Sequence, residues 1–116
     1  MRNLILHSPR CSKSRQALAL LEERNVDIDV VLYLESPPTK DELAEICEGL
    51  GVAPLTIMRT KEARFAELGL SKTDDRPAAE WIELMVANPI LIERPIVSYN
   101  GGLAVGRPLE NVLALL

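Results

Sequence analysis

The residues with the clearest chemical potential surround Cys11: His7, Arg10, Lys13 and Arg15 lie within four positions of it, in a chain whose formal net charge is -4. Positive charge beside a thiol, together with the free N–H groups of a helix start, favours the thiolate, which is the form that attacks electrophiles. The plainer alternative is a small apolar filler at a strand end. His7 either lowers the thiol pKa or merely closes the first strand with a satisfied imidazole. Ser12 and Ser14 are candidate caps of the following helix, and Ser14 stands where a dithiol enzyme would carry its second cysteine. An oxidised or modified Cys11 would then need an external thiol for release, with glutathione the natural candidate, unless Cys47 leaves its expected core position.

Arginines supply the other chemistry. Arg59 and Arg107 fall in loops, where an arginine is most often a solvated surface charge and less often an anion ligand. Arg94 precedes Pro95, whose peptide bond can be cis. A phosphatase-like loop would place an arginine five residues after the cysteine; here it comes too early, at Arg15.

The elements that must hold these residues follow from local patterns. Residues 3–7 form a short apolar run stopped by Ser8-Pro9, as expected of a buried strand, and residues 12–24 place Ala17, Leu18 and Leu21 on one helical face. Cys11 is thus at a strand-to-helix joint. A second strand fits 28–33, and Thr39 with Glu42 forms a capping box that opens a helix with Leu43, Ile46, Cys47 and Leu50 inward and Gly51 as its stop. Residues 53–88 read as further helix: a piece ending at Met58, another over 62–68 closed by Gly69, and a third from Pro77 with Ala78, Ile82, Met85 and Val86 inward. Strands at 96–99 and 103–105 flank the hairpin pair Asn100-Gly101, and Pro108 opens a last helix with Leu109, Val112, Leu113 and Leu116 on its apolar face. The order βαβα, helical insert, ββα is that of a thioredoxin-like α/β fold, a four-stranded mixed sheet with flanking helices.

Composition bounds the partners. A chain of 116 residues supports one domain, and a pI near 5.0 argues against a general grip on nucleic acid or anionic lipid. The apolar triplet Leu4, Ile5, Leu6 is too short for a signal-peptide core or a membrane span, so the expected location is the cytoplasm. Two Cys and a single His do not make a structural zinc site, and two cysteines in a reducing compartment are not expected to form a structural disulfide. With 3% aromatic residues, a monomer is expected.

The chain resembles the glutaredoxin-coupled arsenate reductase family through His7-Ser8-Pro9-Arg10-Cys11-Ser12-Lys13-Ser14-Arg15, Leu32-Tyr33-Leu34-Glu35 with Pro37-Pro38, Leu68-Gly69-Leu70, Pro89-Ile90-Leu91-Ile92-Glu93-Arg94-Pro95-Ile96-Val97 and Gly106-Arg107-Pro108. The resemblance runs nearly end to end. It implies that Cys11 is the nucleophile, that His7 helps hold it as thiolate, that Arg59, Arg94 and Arg107, with Ser14, bind the oxyanion, and that Pro95 is the cis proline. It also implies arsenate as substrate, glutathione as co-substrate and glutaredoxin as partner, with no bound metal or flavin. Two rival expectations keep the fold: a glutathione-dependent reductase of disulfides, and a non-enzymatic regulator resembling the Spx family, which binds RNA polymerase.

Overall fold

The computed structural model describes residues 1–116, which form two compact units: Met1–Ser36 with Arg94–Leu116, and Pro37–Glu93. The first unit carries β1 (Leu4–His7), α1 (Ser12–Glu23), β2 (Asp29–Leu32), β3 (Ile96–Tyr99), β4 (Gly102–Val105) and α5 (Glu110–Leu113). The second carries α2 (Lys40–Leu50), α3 (Ala63–Glu67), α4 (Ala78–Ala87) and two short 3-10 turns, and includes the segment 53–88 read as helical.

The sheet order is β2-β1-β3-β4, with β1 and β2 parallel and β3 antiparallel to both β1 and β4. This is the thioredoxin-like mixed sheet. Every residue of β1 is buried, as its uninterrupted apolar run requires of a central strand. On one face Ile5 and Val97 pack with Ala17 and Leu21 of α1 and Val112 of α5. That cluster sets α1, and with it the residues at its start, against the end of β1.

β2 is an edge strand, and its apolar composition does not bury it: Val30 and Leu32 remain exposed. Asn100 and Gly101 both adopt positive φ in the β3–β4 turn, the backbone that a two-residue hairpin needs. α5 departs from its expected face. It is only four residues long, its buried side is Val112 with Leu109 and Leu115 packed beside it, and Leu113 and Leu116 are exposed. Pro108 lies ahead of the helix rather than at its first turn, because the helix starts only at Glu110 after the N-cap Leu109.

In the second unit the capping box forms as expected. Glu42 N–H donates to Thr39 Oγ1 and Thr39 N–H donates to Glu42 Oε1, each at 3.1 Å, while Gly51 closes α2 in the left-handed region. Leu43, Ile46 and Cys47 are buried on it. On α4 the inward stripe is Trp81, Ile82 and Met85; Ala78, expected inside, is exposed. The larger indole takes that place, and its ring stacks on Phe65 of α3 with centroids 6.4 Å apart. No helix is long and apolar enough to cross a membrane.

Candidate active site

The strand registers fix where the chemistry-bearing residues of the first unit meet. His7 pairs with Leu32, Leu6 with Ile96, and Ile96 with Val105. The C-terminal ends of β1, β2 and β4 and the N-terminal end of β3 therefore share one end of the sheet. Just beyond it stand Ser8 to Cys11, Tyr33, Arg94 with Pro95, and Gly106 with Arg107.

Cys11 is the N-cap of α1, in extended backbone, and its N–H donates to the Ser8 carbonyl at 3.0 Å. No side-chain hydrogen bond caps the helix, so neither Ser12 nor Ser14 has the capping role their types allow. Burial alone would raise the Cys11 thiol. It is outweighed by the Ser14 N–H, a hydrogen bond from Arg94, the Lys13 N–H and the charge of Arg107, and the net effect holds the thiol below its ordinary value. The arginine contacts are specific. Arg107 Nη2 lies 3.3 Å from Cys11 Sγ, and its Nε donates to the Arg94 carbonyl at 2.8 Å. Arg94 Nη1 donates to the Tyr33 hydroxyl at 3.2 Å. The loop bearing Arg107 is tied down by Asn111, whose side-chain amide donates to the carbonyls of Val105 and Arg107.

The Arg94–Pro95 and Arg107–Pro108 peptide bonds are both cis. Pro95 is buried, and its carbonyl accepts the Gly106 N–H at 2.8 Å.

Ser14 differs from its expected place among the substrate ligands. It is fully buried; its hydroxyl oxygen accepts the Ser8 N–H at 3.0 Å and lies 2.6 Å from His7 Nδ1. The side chain of a helix's third residue points back over the preceding turn, here toward β1 and away from solvent. What Ser14 offers the site is its N–H. His7 is likewise buried, and its hydrogen-bond partner is Ser14. Burial lowers its pKa, with Glu22 opposing and Arg15 acting in the same direction as burial, which favours the neutral ring. Through Ser14 the imidazole is tied to the Ser8 backbone at the start of the turn that carries Cys11.

Arg59 belongs to the second unit. There its Nε pairs with Glu62 at 3.1 Å and its Nη1 with Glu93 at 3.0 Å, beside a cleft of about 440 Å³ that Thr60 and Lys61 also line. Backbone bonds from Arg59 N–H to Leu91 O and from Glu93 N–H to Ile57 O hold the two chain segments together. Cys47 is buried on α2, and desolvation raises its thiol, the opposite of Cys11. Both cysteines are free thiols.

Sequence reasoning did not single out Tyr33. It stood in a recognisable motif, but a tyrosine closing a strand gives no sign that its hydroxyl will meet an arginine sixty-one positions away.

An activated thiol at a helix start, flanked by two arginines and a cis proline, can attack an electrophilic anion and stabilise the charge that develops on it. Several known proteins are similar to this chain. An arsenate reductase of Neisseria meningitidis serogroup A is 49% identical over 114 residues, spanning 97% of this chain and 96% of the relative. The uncharacterized Escherichia coli K12 protein YfgD is 45% identical over 113 residues, spanning 97% and 94%. The structure of an arsenate reductase from Vibrio cholerae superposes with a TM-score of 0.91 at 41% identity, covering 100% of this chain and 98% of that one. The ArsC family profile matches residues 6–115, a span that holds Cys11, Arg94, Pro95 and Arg107 together, and the chain belongs to the ArsC family.

Proposed function

We propose that this protein is an arsenate reductase working through the single nucleophile Cys11, with glutathione and glutaredoxin as reductants. The observation that carries the reading is the placement of Cys11 Sγ at the start of α1, hydrogen-bonded by Arg107 and Arg94. The names of several relatives support arsenate as the oxyanion.

In the proposed cycle the Cys11 thiolate attacks arsenic, an S–As bond forms, and one arsenate oxygen leaves as water after protonation. Two negative charges approach each other in this step, and the guanidiniums of Arg94 and Arg107 offset the repulsion with charge-assisted hydrogen bonds. A glutathione thiolate then attacks the Cys11 sulfur. The S–As bond breaks with its electron pair passing to arsenic, which goes from As(V) to As(III) and departs as arsenite, while a Cys11–glutathione mixed disulfide remains. Glutaredoxin takes the glutathione by thiol exchange and restores Cys11. Such a cycle suits the cytoplasm, where that thiol is available, and a monomer suffices for it. Arg59 is proposed as a third ligand of the oxyanion, and its contribution is tested alongside the others.

The test is arsenate-dependent NADPH oxidation with glutathione, glutaredoxin and glutathione reductase. Cys11→Ser should abolish turnover, Arg94→Ala and Arg107→Ala should each lower kcat by about 10²–10³, Arg59→Ala should raise KM or lower kcat, and Cys47→Ser should leave turnover near that of the unaltered protein. A protein with a reactive Cys11 and no arsenate turnover would redirect the assignment to disulfide substrates or to a polymerase-binding role.

A further inference from the structure

Tyr33 is completely buried at the turn that follows β2, where Glu35 and Ser36 N–H both donate to the Leu32 carbonyl. A buried phenol normally has its oxygen engaged, and here that oxygen accepts a hydrogen bond from Arg94 Nη1 at 3.2 Å. Arg94 in turn hydrogen-bonds the Cys11 sulfur. The three residues come from the ends of β2, β3 and β1, adjacent strands whose ends coincide.

We propose that Tyr33 is a positioning residue: its hydroxyl holds one arm of the Arg94 guanidinium, so that the planar fork presents its remaining donors to Cys11 and to the oxyanion bound there. Arginine has long flexible reach, and a guanidinium without a fixed partner loses orientation at little cost. The backbone on the Arg94 side is already fixed, since its carbonyl accepts from Arg107 and the next residue is buried. The far end of the side chain reaches Tyr33, whose hydroxyl accepts from one of its arms. A tyrosine suits this role better than a carboxylate. It accepts the hydrogen bond without neutralising the guanidinium, whose charge stays available to the thiolate and to the substrate. Arg59 shows the contrasting arrangement, an arginine paired with two glutamates.

The inference rests on Cys11 being the reactive thiol, and its test is independent of arsenate. In a Cys47→Ser background, the Cys11 thiolate is titrated by its ultraviolet absorbance and its alkylation by iodoacetamide is timed across pH. Tyr33→Phe keeps the ring and removes the acceptor. It should move the thiol titration upward and slow alkylation at neutral pH by about three- to tenfold, within the net range of an ordinary hydrogen bond. Tyr33→Leu, lacking an acceptor by a different route, should shift the titration the same way. In an Arg94→Ala background Tyr33→Phe should add nothing further, which a general loosening of the fold would not reproduce. Superimposable titration and alkylation curves for Tyr33→Phe and the parent would overturn the inference, and so would an equal slowing in the presence and absence of Arg94. Loss of arsenate turnover in the parent protein would bear on the proposed function alone.

Discussion

Gly106 stands so close to Pro95 that a Cβ at position 106 would lie 2.6 Å from Pro95 Cγ and 3.2 Å from Val112 Cγ2. The same glycine donates its N–H to the Pro95 carbonyl, so the ends of β3 and β4 are locked together immediately beside Arg94 and Arg107. Gly106→Ala must push the buried proline ring or α5 aside. The expected cost is about 1–3 kcal/mol of stability, as for other overpacked sites, measured by urea unfolding. Cys11 alkylation should slow in the same variant, because both arginines flank the displaced residues.

The two thiols should behave oppositely. Cys11 is held below the ordinary thiol range and is partly accessible, whereas Cys47 is buried and pushed up. Mass spectrometry after brief iodoacetamide treatment at pH 7 should show one modification on Cys11, and two after unfolding in urea. Labelling of Cys47 in the native protein would contradict the burial of α2's inner face.

Lowering the pH should reveal His7. Its folded pKa lies below the unfolded value near 6.5, so the folded state binds fewer protons. The contribution is complete above about pH 6.5 and declines as pH falls below it, because the unfolded chain gains a proton that the buried ring resists. The unfolding midpoint should therefore fall more steeply between pH 7 and pH 5.5 in the parent than in His7→Gln. Parallel slopes would indicate that the imidazole takes up its proton without penalty.

Ser14→Ala removes the acceptor of the Ser8 N–H and the partner of His7 Nδ1 within a buried site. A loss of about 1–3 kcal/mol is expected from leaving those groups unsatisfied. Since the hydroxyl faces inward, the KM for arsenate should change less than the stability does. Steady-state kinetics alongside thermal unfolding separates the two effects.

Much of this architecture is written in short-range signals. The Thr39–Glu42 capping box, the Asn100-Gly101 turn, the apolar run of β1 and the stop at Gly51 each depend on residues a few positions apart, and each takes the form expected of it. The same is true of Cys11 at a strand-to-helix joint, since a strand end, a turn and a helix start are all local events. Even the inward face of α2 follows from a spacing of three and four.

Residue type alone left other features open. β2 is as apolar as β1, yet it lies at the sheet edge with Val30 and Leu32 in solvent, because strand order is a property of long-range pairing. Trp81 rather than Ala78 fills the space beside Phe65, and Leu115 rather than Leu113 covers the sheet, since a helix's rotation is set by the surface it meets. Ser14 turns inward to His7, and Tyr33 reaches Arg94 across sixty-one positions of chain. The position of the Cys11 thiol at the start of α1 is thus a local matter, whereas the hydroxyl and guanidinium groups around it come together only when strand ends far apart in sequence are brought to the same edge of the sheet.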